Sequence, residues 1–460
     1  MPNIVNYNPQ LPDISESNLL WQRALGLIPA GTQTLAKGPT QFSNGVAPKY
    51  LRKGKGARVW DIDGNEFLDY NSGIGPIILG YCHPAVDDAI RLQLEDGITF
   101  SLMHPLEVEL AELMRDCIPH AESVRFSKTG CDVTSAAVRL ARAYTGRERV
   151  LCCGYHGWHD WYISVTDRNA GIPASVGELT HTFNYNDIDS VIQAIDDDTA
   201  CVILEPFVFE RENGSFLSGL REVCDFHGTL LVFDEMWTGF RCATGGAQQY
   251  FGVRADLCLF SKAMANGMPI SAITGRADVM SLFEKDVFFF TTFGGEALSL
   301  AASIACIRFI RDHDVTGHIA QIGQQLLDGL KHLIDTESLD YVSVSGYPFR
   351  TIMNFSASGG NPLEMKTLVQ QELIQRGILW AGTHNLCFSH TQEDIEYTLE
   401  AFASSLTILK HAVETGNVRQ HLKGELLQPV FRKTSHFNVK PRHNAEIGSE
   451  HGFPRLKRVG

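Results

Sequence analysis

Two short apolar runs, each delivering a reactive side chain at its end, restrict what this chain can fold into more than any other feature. Leu230-Leu231-Val232-Phe233 runs into Asp234, and Leu257-Cys258-Leu259-Phe260 runs through Ser261 into Lys262, 28 residues further on. An unbroken apolar run of this length reads as a strand buried on both faces, the habit of parallel sheets covered by helices. From about residue 107 to 298, further apolar runs alternate with helical patterns. That alternation predicts an α/β fold with a mostly parallel sheet and helices on both faces. Ligands of open sheets bind beyond the carboxyl ends of the strands, so Asp234 and Lys262 are expected to share one crevice.

At 460 residues the chain exceeds what a single hydrophobic core usually supports. Residues 1–75 read as an N-terminal arm followed by a hairpin, Arg58-Val59-Trp60-Asp61 and Glu66-Phe67-Leu68-Asp69 around an Asp-Gly-Asn turn. Residues 76–310 read as the large domain. A long helical pattern and then strand and helix pieces at 341–355 and 363–375 make 311–415 a smaller α+β domain. The last 45 residues, 416–460, form a basic extension with nine Lys/Arg against three Asp/Glu, including Val430-Phe431-Arg432 and Val439-Lys440-Pro441-Arg442.

The remaining composition narrows the function classes. A net charge of -14 argues against nucleic acid as a partner. Eleven cysteines without a CxxC pair, and histidines such as His156, His159 and His181 without metal-ligand spacing, point to neither a disulfide framework nor a metal site. The opening Met1-Pro2-Asn3-Ile4-Val5 has no signal-peptide pattern, and no window is apolar enough to span a membrane, so a cytoplasmic location is expected.

The chemistry begins with the two strand ends. A lysine in a crevice loses its proton through desolvation and can form a Schiff base, while an aspartate there keeps a heterocyclic nitrogen protonated. These are the two protein groups that pyridoxal phosphate (PLP) requires. Four other segments each carry two readings. Ser127-Lys128-Thr129-Gly130-Cys131-Asp132 precedes a helical stripe of Val133, Ala136, Ala137, Leu140, Ala141 and Tyr144, and serves either as a phosphate-docking turn or as a plain cap. Gly154-Tyr155-His156-Gly157 offers an aromatic ring to a flat cofactor or merely packs a loop. Glu205 ends the run Cys201-Val202-Ile203-Leu204, as a site acid or as a helix cap or surface ion pair. Thr291-Thr292-Phe293-Gly294-Gly295 suits a phosphate or a helix cap. Gly-x-Gly-x-x-Gly, P-loop and Gly-x-Ser-x-Gly motifs are absent, against dinucleotide, kinase-like and hydrolase readings.

Together, Tyr155-His156-Gly157, the segment from Phe233-Asp234-Glu235-Met236-Trp237 through Thr238-Gly239-Phe240-Arg241, and Phe260-Ser261-Lys262 stand at spacings that resemble one family. The chain is similar to the class III (fold type I) PLP-dependent aminotransferases, in the group around glutamate-1-semialdehyde 2,1-aminomutase, over about 28–409. The resemblance implies a seven-stranded, mostly parallel sheet between helices, with a smaller α+β domain built from both terminal parts. It also implies that Lys262 bonds the cofactor and Asp234 faces its ring nitrogen. Tyr155, beside His156, would stack on one ring face and Met236 would touch the other. Thr129, Gly130 and Cys131 would cradle the phosphate, with Glu205 near the ring oxygen. Thr292 would reach the phosphate of a second subunit, implying a homodimer with active sites at the interface.

One departure bears on substrate. The aminomutase loop carries Ser-Pro-Val-Arg, whose arginine is expected to hold a substrate carboxylate, and the corresponding stretch here reads Gly31-Thr32-Gln33-Thr34. Ala381-Gly382-Thr383 likewise replaces that group's Phe-Glu-Ala. Neutral polar groups at Thr32, Gln33 and Thr34 suit a sugar-like or hydroxylated carbonyl acceptor, aminated from an amino acid donor by ping-pong transfer. The alternatives are an aminomutase-type isomerase and a PLP-fold module that binds without catalysis.

Overall fold

The computed structural model describes residues 10–207 and 210–428. Both basic motifs of the extension, at 430–432 and 439–442, lie outside the described residues.

The central sheet has seven strands: β1 (Ser123–Ser127), β2 (Arg149–Cys153), β3 (Thr180–Thr182), β4 (Thr199–Leu204), β5 (Leu230–Asp234), β6 (Leu257–Phe260) and β7 (Ser271–Gly275). In space they follow the order β1-β7-β6-β5-β4-β2-β3. Pairings β6–β5, β5–β4, β4–β2 and β2–β3 are parallel. Strand β7 runs antiparallel to both its neighbours, β6 and β1, so it is the one reversed strand of the seven.

The apolar runs are unbroken because alternate residues enter different cores. Val150, Cys152, Leu230, Val232, Leu257 and Leu259 join one buried cluster, together with Val133, Ala137, Leu140 and Ala141 of the helix Gly130–Thr145. Leu151, Leu231, Phe233, Cys258 and Phe260 point the other way into the larger cluster, against Leu300, Ala302 and Ile307 of the helix Ala297–Asp312. Each buried Val, Leu or Phe contributes about 1.5–3 kcal/mol, so both faces demand apolar side chains. Tyr144 departs from the expected stripe: it is exposed and donates its hydroxyl to Asp278 at 2.8 Å.

Two smaller sheets flank this layer. Leu51–Lys55, Arg58–Asp61 and Glu66–Asp69 form an antiparallel meander, and Ile378–Leu379 adds to its last strand in parallel. The chain's two terminal parts thus share one sheet. At the expected hairpin turn, Asp61 accepts from the backbone and side-chain amides of Asn65, both at 2.7 Å. The third sheet joins Val342–Tyr347, Arg350–Phe355 and Thr383–His384. The long helical pattern after the large domain becomes the helix Val315–Thr336, separated from Ala297–Asp312 where Asp314 turns left-handed (φ 44°) and caps Gly317. Among the described residues no helix is long and apolar enough to cross a membrane.

Candidate active site

Strand direction assembles the site. β1, β2, β4, β5 and β6 point the same way, so their carboxyl ends share one sheet edge, where the reversed β7 begins. That edge receives Thr129 and Gly130 after β1, Tyr155 and His156 after β2, Glu205 after β4, Asp234 at the end of β5 and Lys262 just beyond β6.

Lys262 opens a short 3-10 turn with φ at 43°, in the left-handed region. That conformation costs about 1 kcal/mol or more in a residue with a side chain. Burial pulls the Lys262 amine below the ordinary lysine range; nearby Glu205 and Asp234 oppose this, while Arg350 and Arg241 add to it. Desolvation therefore wins against two carboxylates, and the amine is poised to act as a base.

Asp234 is almost fully buried, and both its oxygens are occupied. Oδ1 accepts the Met236 backbone N–H at 3.1 Å, and Oδ2 lies 2.8 Å from Nδ1 of His156. The other nitrogen of His156 lies 3.0 Å from the Cys153 carbonyl oxygen. Glu205 accepts the Tyr155 backbone N–H at 2.7 Å, and its carboxyl is raised first by burial and then by the Asp234 charge, with Lys262 opposing. Gly154 (φ 105°) makes this approach possible, since a Cβ there would stand 2.9 Å from Glu205 Oε1.

At the β1 end, Asp132 Oδ2 accepts from Thr129 N at 2.7 Å and from Ser127 Oγ at 2.8 Å. The cap reading of this segment therefore holds for Asp132, while Thr129, Gly130 and Cys131 form the turn that opens the helix. Their neighbours are site residues: a Cβ on Gly130 would lie 3.0 Å from Met236 Sδ, and one on Gly157 2.5 Å from the Cβ of Cys131. The structure thus gathers Thr129, Gly130, Cys131, Tyr155, His156, Glu205, Asp234, Met236 and Lys262 at one edge. Thr292 instead lies exposed on the loop before helix Ala297–Asp312. Thr32 and Thr34 bond each other, Thr32 Oγ1 donating to the Thr34 carbonyl at 3.0 Å, and Gln33 is exposed.

Several charged neighbours were not legible. Two guanidinium groups stand over the Trp237 ring, Arg350 at 4.1 Å and Arg241 at 4.8 Å from its centroid. Burial lowers both arginines to about 10, and Glu205 is the acid that counters this for Arg350. Arg350 arrives from the third sheet, 88 residues after Lys262, and nothing local marks it. Lys37, three residues past Thr34, lies near enough to help hold down the carboxyl of Asp69, which burial raises. A cation thus stands close to the loop that lacks the expected arginine.

Residues 42–397 match the family described as aminotransferase class-III. The chain is 34% identical over 412 residues to the 3-aminobutyryl-CoA aminotransferase of Cloacimonas acidaminovorans, covering 86% of this chain and 98% of that one. It is 31% identical to a glutamate-1-semialdehyde 2,1-aminomutase of Syntrophobacter fumaroxidans, again covering 86% and 98%. Among solved structures it superposes on the PLP internal aldimine form of the Sphingopyxis sp. MTA144 FumI protein with a TM-score of 0.81, at 30% identity, covering 87% of this chain and 97% of that one. With its α/β architecture and this span of similarity, the chain belongs to the class-III aminotransferases, a PLP-dependent family of fold type I.

Proposed function

We propose that this chain is a PLP-dependent aminotransferase that moves an amino group from an amino acid donor to an aldehyde or ketone. The observation that carries the reading is the placement of Lys262 just beyond β6, at the sheet edge that also receives Asp234 and Glu205. The donor set suits the cofactor's three demands. Lys262 offers an amine, Asp234 an anion for the ring nitrogen, and the Thr129-Gly130-Cys131 turn the positive end of a helix for the phosphate. When bound, PLP supplies an aldehyde that captures primary amines and a ring that takes up electrons released at a neighbouring carbon.

The protein's own tasks follow. Lys262 Nζ would hold the cofactor's aldehyde and, as a free amine, would carry a proton between the substrate carbon and the cofactor carbon that bears the transferred nitrogen, in one direction for the donor and in the other for the acceptor. Asp234, held by His156 and the Met236 amide, keeps its charge directed at the ring nitrogen. Tyr155 would cover one ring face and Met236 the other. Arg350, made rigid by its stack on Trp237, receives an anionic substrate group such as the donor's carboxylate. One cleft and one lysine serve both half-reactions, so ping-pong kinetics are expected.

For the acceptor we propose a sugar-like or hydroxylated carbonyl compound, supported by the neutral Thr32-Gln33-Thr34 stretch. Aminomutase-type isomerisation is the second reading, favoured by the Syntrophobacter relative. The Cloacimonas relative's name favours transfer. We also propose a homodimer. Thr292 stands among Phe288, Phe290 and Phe293, exposed by 76%, 70% and 54%, an apolar surface that a second copy would cover while bringing Thr292 to its partner's phosphate turn. Eleven free thiols support a reducing, cytoplasmic setting.

The test is a donor and acceptor panel on purified protein, followed through the visible absorbance of bound PLP. Loss of absorbance with an amino donor and recovery with an acceptor supports transfer. Turnover of a single amino-aldehyde without any donor would instead assign the mutase.

A further inference from the structure

The turn that opens the helix Gly130–Thr145 carries a feature that docking a phosphate does not require. Cys131 Sγ, a carboxylate oxygen of Asp132 and a ring nitrogen of His159 all lie within 4.8 Å of one another. Thiolate, carboxylate and imidazole are the ligand types that proteins offer to Zn2+. No motif marks the trio in sequence, because Cys131 and Asp132 open a helix while His159 stands on the loop after β2.

Hydrogen bonds tie that loop to the helix. Thr134 Oγ1 donates to the His156 carbonyl at 2.9 Å, and Ser135 Oγ lies 2.7 Å from His159 Nδ1. Ser135 Oγ also accepts the Trp161 indole N–H at 3.2 Å. The imidazole is thus anchored to the first turns of the helix that carries the other two groups. A partner on the second ring atom is what orients metal-binding histidines.

The donor set selects the cation. Ca2+ and Mg2+ take oxygen ligands, whereas a thiolate beside an imidazole suits Zn2+. Three protein ligands leave one of its four tetrahedral positions to solvent. The positive end of the helix opposes a cation here, and two anionic ligands offset that effect. Around Zn2+ the ligand atoms would stand roughly 3.5 Å apart, so binding draws the trio inward. Asp132 is not free to follow: its Oδ2 accepts from Ser127 Oγ, Lys128 N and Thr129 N at 2.8, 3.3 and 2.7 Å. These bonds shape the Thr129-Gly130-Cys131 turn, so capture of the metal deforms it.

We propose that Cys131, Asp132 and His159 form a Zn2+ site that competes with the cofactor's phosphate for this turn, so that zinc holds the chain in a form without PLP. As the Zn–S bond forms, the Cys131 thiol proton leaves to solvent. The competition rests on the PLP reading; the metal site itself does not.

The test uses the full chain freed of cofactor, with Co2+ as a visible probe for the zinc site. Wild type is expected to bind one Co2+ per chain, with the colour of a tetrahedral ion and a cobalt–thiolate charge-transfer band. Cys131→Ser should lose that band. His159→Gln should weaken binding by about tenfold or more, since even a partner behind a ligand costs that much. A spectrum unchanged in both variants would assign the metal to other residues and overturn the proposal, as would wild type that takes up neither Co2+ nor Zn2+. PLP is then titrated with and without Zn2+ and followed by its absorbance on the protein. With Zn2+ at about ten times its own Kd, the apparent Kd for PLP should rise about tenfold in wild type and about twofold or less in His159→Gln. A PLP affinity indifferent to bound Zn2+ would overturn the competition. Protein that takes up no PLP even without metal contradicts the PLP reading itself, a result separate from the Co2+ spectra, which still decide the metal site.

Discussion

His156 links Asp234 at the end of β5 to Cys153 at the end of β2, one ring nitrogen facing each. The carbonyl of Cys153 can only accept, so Nε2 of His156, 3.0 Å away, must carry a hydrogen. Nδ1 then faces Asp234 Oδ2 at 2.8 Å, and one further proton must lie between them.

Two substitutions separate the roles of this pair. Asp234→Asn keeps a bond to His156 but removes the anion, and kcat is expected to fall about a hundred- to a thousandfold with the fold intact. His156→Phe leaves Asp234 in place with one partner fewer. A smaller loss of about 10–100-fold is expected, with a displaced pH–rate profile that a merely structural role would not produce.

Arg350 is expected to act on binding. Arg350→Lys keeps the charge but loses the planar stack on Trp237. KM for a carboxylated donor should rise about tenfold or more with kcat little changed, whereas a donor without a carboxylate should be unaffected. Steady-state kinetics with L-alanine and 1-phenylethylamine would check both halves of this expectation.

The exposed aromatic loop gives a prediction about assembly. Phe288→Asp combined with Phe290→Asp introduces charge into the surface assigned to the second copy. A shift from dimer to monomer in analytical ultracentrifugation is expected, together with loss of activity, because Thr292 would no longer reach a partner site. A monomeric variant with full activity would separate the active site from the interface.

Acid sensitivity follows from two buried imidazoles, His384 in the third sheet and His390 on the segment between that sheet and the helix Gln392–Glu414. Burial lowers His384 to about 3 and His390 to about 4 from an ordinary 6.5. Both are neutral in the fold and charge more readily when unfolded. Their contribution to stability is thus present above about pH 6.5 and is lost as pH falls through 4 and then 3. Urea midpoints measured from pH 7 to pH 4 should fall, and His384→Phe should flatten that fall.

How much the sequence disclosed depended on whether a signal was local. The strands β4, β5 and β6 were legible because both faces are buried and every position must be apolar. Asp234 and Lys262 were legible because they end those runs. The reversed β7 reads like any apolar strand, and direction is set by its pairing with β1 and β6. Arg350 and Trp237 meet only through the packing of the third sheet against the site. The expected stripe of helix Gly130–Thr145 failed at Tyr144, whose ring carries a hydroxyl that finds Asp278 at the surface.

The proposed function requires Lys262 to be the residue that bonds PLP. Reconstituted protein reduced with sodium borohydride and digested for peptide mass spectrometry tests it most directly. One pyridoxyl group per chain is expected, on the peptide containing Lys262, and none in Lys262→Ala. A label on another lysine, or unlabelled protein after reconstitution, would contradict it.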